Sequence, residues 1–139
     1  MHDDSKIALR VLMMPSDTNH EGTIFGGVIL SHIDQAAYVE ARHHGVHRWV
    51  TAAVDRVDFL QPVFMGDIVS YWTRTTRKGT SSVTVNVEVM AQRHATGHSC
   101  KVTTAELVMV AMGPEGRPRP YSDVDPFEEP PATDGGAGR

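Results

Sequence analysis

The chain has 139 residues, a formal net charge of −4 and 40% hydrophobic residues, enough for one domain with its own core and too few for a second. The negative balance and the lack of a long basic run argue against a general nucleic-acid binder, and no apolar run approaches the length of a membrane span. The opening MHDDSKIALR has neither the basic start nor the apolar core of a secretory signal, so a soluble cytoplasmic protein is expected. The single cysteine, Cys100, has no intrachain partner, which agrees with a reducing compartment.

In chain order, IALRVLMM before Pro15 reads as a first strand. From Phe25 to about His43, Ile29, Leu30, Ile33, Ala36, Ala37 and Ala41 recur at three- and four-residue steps, which predicts a core helix. WVTAAVDRVDFLQPV is β-rich and is expected to run to Pro62; MGD at 65–67 is a turn into a strand over IVSYWTRTTRK. GTSSVTVNVEVMAQR alternates, with Val83, Val85, Val87 and Val89 on one face and Thr84, Asn86, Glu88 and Met90 on the other. SCKVTTAELVMVAM repeats that pattern as a last strand. After Gly113 the sequence turns rich in Pro, Gly and acid, so residues 1–112 are read as the domain and 113–139 as an extended or disordered tail.

One helix followed by a run of strands indicates an α+β protein, with an antiparallel sheet of about five strands and the helix on one face. A single helix cannot cover such a sheet, and its edge strands need pairing, so a homodimer at least is expected.

Two features carry chemistry. In DTNHEGTIFGG, residues 17–27, the glycines would serve a tight turn, or would leave bare backbone amides at a helix start, where the dipole favours a developing oxyanion. The Gly27 N–H is the candidate donor. Asp34 falls inside the helix and shares a face with Leu30 and Gly27; the alternatives are a solvated polar position or a functional carboxylate. Seven residues of helix span roughly 10 Å, too far for one helix to present both groups to one carbon, so a site shared between two subunits is indicated. Eight histidines raise a metal site, above all at His43, His44 and His47, but Gly45 argues that the helix has ended there, and no metal is expected.

MPSDTNHEGTIFGGVILSHID, followed by VTAAVDRVDFLQPVFMGDIVSYWTRTTRKGTSSVTVNVEVMAQR, resembles the hotdog-fold acyl-CoA thioesterases, in particular the branch of YciA and the brain acyl-CoA hydrolases. D-T-N, F-G-G, a helix aspartate, F-x-x-P-V-x-x-G-D and G-x-S-S occur in that order, and the resemblance covers about residues 8 to 112. It implies a sheet wrapped around one long helix, a double-hotdog dimer and often a trimer of dimers. It further implies an acyl-CoA substrate whose CoA is part of the substrate, with no separate cofactor.

Carried over, the resemblance makes Asp34 the catalytic acid, acting as general base or nucleophile, and Asn19 the catalytic amide, from opposite subunits, with Gly27 N–H in the oxyanion hole. It places the substrate along Gly26, Val57, Asp58 and Phe59 for the pantetheine arm. The nucleotide falls near Gly79, Thr80, Ser81 and Ser82, with Arg74, Arg77 and Lys78 close by. Val28 stands where the family often has a bulky aromatic, and His20 and His32 match no catalytic position. Two other readings stay open. A hotdog hydratase needs a histidine five positions after Asp17, where Gly22 stands. A non-catalytic acyl-CoA sensor of this fold is joined to a DNA-binding helix-turn-helix, for which this chain has no segment.

Overall fold

The apolar rhythm read between Phe25 and His43 is a helix, α1 (Gly26–Arg42), with those two residues as its caps. The structure is a computed structural model and describes residues 2–123. The helix buries Ile29, Ile33, Ala36, Ala37, Glu40 and Ala41, and the small alanines let its axis lie close to the sheet. At its end the amides of His43, His44 and Gly45 bond the carbonyls of Glu40, Ala41 and Arg42, three residues back, which tightens and stops the last turn.

Around it stand β1 (Lys6–Leu12), β2 (Arg48–Phe59), β3 (Ile68–Lys78), β4 (Ser82–Gln92) and β5 (Ser99–Met112). They form one antiparallel sheet in the order β1-β3-β4-β5-β2, so the expected five-stranded arrangement is the one found. Central β4 behaves as its alternation indicated: Val83, Val85, Val87 and Val89 are fully buried against the helix, and the residues between them are half-buried on the outer face. Every strand pairing contains a register break, and such bulges bend and twist a sheet. The sheet therefore curves about α1, which touches all five strands.

β2 ends at Phe59 rather than at Pro62. The amides of Leu60 and Gln61 both turn onto one acceptor, the Val102 carbonyl, and Pro62 has no amide with which to continue the ladder. The MGD turn is as expected, with Gly66 at φ 91°, where a side chain would be strained. Asp67 is buried there and accepts from Phe64 N (3.0 Å), His94 N (3.3 Å) and Arg93 Nη1 (2.7 Å), which fastens the β2–β3 loop to the β4–β5 turn.

Of the tail read from Gly113 onward, residues 113–123 turn back onto the domain, and 124–139 lie outside the described residues. Arg119 N bonds Ala111 O, Tyr121 N bonds Thr80 O, and the Tyr121 ring packs on Trp49 and His44. His47 Nε2 lies 2.7 Å from Tyr121 O.

Candidate active site

Asp34 lies on the side of α1 that the sheet leaves open. Gly27, Leu30, Asp34, Tyr38 and Val39 are all exposed along that side, and the adjoining free edge of β2 exposes Val50 and Val54. Asp34 is not merely solvated: Thr51 Oγ1, on β2, donates to its Oδ1 at 2.5 Å. An open groove of about 640 Å³ runs beside the carboxylate, walled by Tyr38, Val39, Trp49, Val50 and Met109. A fixed carboxylate against an apolar wall suits proton transfer next to an acyl group.

The start of α1 supplies the second half. Phe25 stands at the N-cap position and makes no side-chain cap; Val28 N bonds the Phe25 carbonyl at 2.9 Å, and the amides of Gly26 and Gly27 are left for a ligand or solvent. Phe25 and Phe59 flank the glycines: a Cβ on Gly27 would meet the Phe25 ring at 2.7 Å, and one on Gly26 the Phe59 ring at 3.7 Å. The preceding loop is tied by Asn19, whose Oδ1 accepts from Glu21 N (2.8 Å) and Thr23 N (3.2 Å) and whose Nδ2 donates to Thr23 Oγ1 (2.9 Å). Gly22, at φ 89°, makes the turn inside that knot. One N–H of the Asn19 amide is left for another partner, because the group carries two.

Of the residues singled out from sequence, Asn19, Gly26, Gly27 and Phe59 gather at the N-terminal end of α1, and Val57 and Asp58 precede Phe59 along β2. Asp58 Oδ2 pairs with Arg56 Nε at 2.8 Å. Asp34 stands roughly 10 Å further along the helix than Gly27. Gly79, Thr80, Ser81 and Ser82 are not brought to this end. Thr103 pairs with Phe59 near the helix start whereas Val110 pairs with Ser82, and the seven residue steps from one to the other along β5 put roughly 24 Å between the two places. In that hairpin the Thr80 carbonyl accepts Tyr121 N and the Ser81 carbonyl accepts Ala111 N. The histidines considered for metal bind elsewhere: His44 Nε2 meets Thr75 Oγ1 at 2.7 Å, and His47 reaches Tyr121 O. Among the described residues no three His, Cys, Asp or Glu side chains gather as a metal site, and no helix is long and apolar enough to cross a membrane.

The chain matches the family model "Thioesterase superfamily" over residues 21–98, which take in the helix, Asp34 and strands β2 to β4. It is similar to the acyl-CoA thioester hydrolase YciA of Escherichia coli K12, 41% identical over 116 residues, spanning 81% of this chain and 88% of that protein. This chain belongs to the thioesterase superfamily. Two solved structures show the same hotdog arrangement. A hexameric hotdog-fold thioesterase of Campylobacter jejuni is 41% identical with a TM-score of 0.80, over 86% of this chain and 92% of that one. A hexameric thioesterase of Yersinia pestis is 38% identical with a TM-score of 0.79, over 84% and 94%.

Within this superfamily fold, two groups at the site escaped the sequence reading. Thr51 gave no local signal, because bulges between Thr51 and Ala53 and between Val54 and Arg56 break the alternation of β2 and hide which side chains face the helix. Thr103 did give one: it is the single polar residue in the inward row Thr103, Ala105, Leu107, Met109, Ala111. It is 1% exposed and its Oγ1 has no hydrogen-bond partner, a state that costs roughly 1–3 kcal/mol if nothing occupies the space beside it.

Proposed function

We propose that the protein is an acyl-CoA thioester hydrolase that works as a homo-oligomer, with Asp34 of one protomer meeting Asn19 and the Gly27 amide of its partner. The observation that carries this reading is the Thr51-held Asp34 carboxylate on an exposed, apolar helix face, about two turns beyond a glycine helix start with no side-chain cap. A second copy laid antiparallel on that face covers the apolar residues and sets each carboxylate opposite the other helix's amides. The hexameric assembly of the similar thioesterases supports a trimer of such dimers.

In this reading the thioester oxygen is held by Gly27 N–H and by the spare N–H of Asn19. Asp34 takes a proton from water as that water's oxygen bonds the carbonyl carbon, or bonds the carbon itself and is later released by water. Collapse breaks the carbon–sulfur bond; the leaving sulfur takes the proton that Asp34 had accepted, or in the covalent route one from water, and departs as CoA-SH, and the acid remains. The reaction so written uses no cofactor. Because Asn19 Oδ1 is occupied within its loop, its role narrows to donation. Val57, Asp58 and Phe59 lead the pantetheine arm toward Gly26, and Gly79 to Ser82 serve the nucleotide from a different protomer, given the distance within one chain. All these residues lie within 1–112, with 113–139 outside the chemistry, and the cytoplasm is the proposed location. The test is CoA-thiol release from short, medium, long and aromatic acyl-CoAs by wild type and by Asp34→Ala of equal oligomeric state. Release by the wild type that drops at least a hundredfold in the variant is expected; no release from any thioester, or equal rates, would refute the reading and return the choice to a sensor or a hydratase.

A further inference from the structure

We propose that the cleft between the start of α1 and the end of β2 is the subsite for the acyl group, and that Thr103 makes it selective for short acyl chains carrying an oxygen substituent, a hydroxyl or a ketone. This rests on the acyl-CoA hydrolase reading above. The cleft holds about 250 Å³ and is lined by Thr23, Gly26, Ile29, Phe59, Gln61 and Thr103, among others. It opens beside the same helix start that would hold the thioester oxygen. At about 30 Å³ per water-sized group it admits roughly eight such groups, room enough for a short chain and its oxygen substituent.

Its walls are apolar except at four points, Thr103, Thr23, the Gly26 amide and the Gln61 carboxamide at the mouth, and all four can donate. Thr103 Oγ1 is buried, faces the helix and lacks any partner, although its strand neighbours Phe59 and Val89 are apolar and a valine of the same shape would fit that row. A buried hydroxyl in that state calls for a group that the single chain does not contain. Thr23 Oγ1 accepts from Asn19 Nδ2, so its own proton is free to turn into the cleft. The Gly26 amide belongs to the uncapped first turn. Donors converging on an apolar cleft of this size select an acceptor oxygen on the acyl chain, beyond the thioester carbonyl.

The experiment compares kcat/KM for 3-hydroxybutyryl-CoA with that for butyryl-CoA, two probes of equal chain length that differ by one hydroxyl. Both are measured in wild type, Thr103→Val and Thr103→Ser. The ratio is internal to each protein and does not depend on how much of a variant is folded. A wild-type ratio of roughly five to ten, falling to about one in Thr103→Val and kept above one in Thr103→Ser, is expected for one hydrogen bond gained. A wild-type ratio near one overturns the inference without any variant, and so does a ratio unchanged by Thr103→Val. If the wild type releases thiol from neither probe but does so from other acyl-CoAs, this subsite assignment fails alone; if it hydrolyses no acyl-CoA, the underlying reading fails with it.

Discussion

At the scale of single residues, the account turns on how Asp34 is held. Thr51 Oγ1 has one proton and gives it to Asp34 Oδ1, which fixes the carboxylate plane and leaves Oδ2 to act. Thr51 is therefore a positioning residue. Thr51→Val should lower kcat by about tenfold while leaving KM nearly unchanged, and Thr51→Ser should recover most of the loss. Steady-state kinetics on one acyl-CoA would check this, and equal kcat in Thr51→Val and wild type would remove Thr51 from the mechanism. Asp67 illustrates the structural use of the same chemistry: it is buried, and Arg93 supplies its only charged partner among the described residues. Arg93→Ala leaves that carboxylate with backbone donors alone, so a stability loss of about 3 kcal/mol is expected by urea unfolding at fixed protein concentration.

At the scale of elements, the helix end gives a pH-dependent prediction. Thr75 Oγ1 donates to Glu40 Oε2, so it must accept from His44 Nε2–H, which requires that tautomer. Burial lowers the His44 pKa from its ordinary 6.5; Lys78, Lys6 and His43 push the same way, and Glu40 opposes them. The folded chain thus favours the neutral ring while the unfolded chain takes up the proton, so this contribution to stability is complete above 6.5 and is lost as the pH falls below it. The melting temperature should drop below that pH, and His44→Gln should flatten the drop; an identical profile in both proteins would dismiss the linkage. The elements themselves were largely legible. β4 follows its alternation from end to end, β5 follows it from Thr103 onward, and α1 differs from its reading only by its caps. β2 was harder, because its two bulges interrupt the period on which a facing assignment depends. Asp34 and the glycines stood out as local anomalies in an apolar stretch. The partner Thr51 and the remoteness of Gly79 to Ser82 follow from strand register, which no local pattern encodes.

At the scale of the whole molecule, a single chain looks unfinished. Its open helix face and the free edge of β2 expose Leu30, Tyr38, Val39, Val50 and Val54 together, and the carboxylate and the oxyanion donors of the proposed site lie too far apart within one protomer. Both facts have one resolution, a second copy placed on that face. The most direct measurement is complementation between two inactive variants, Asp34→Ala and Asn19→Ala, co-expressed with different tags and purified as mixed oligomers. If each site takes Asp34 from one chain and Asn19 from the other, a mixed dimer carries one intact site, and at statistical mixing the preparation should recover about a quarter of the wild-type thiol-release rate per chain. Mixed oligomers that form, as mass spectrometry would register, yet remain as inactive as either parent would contradict the shared site.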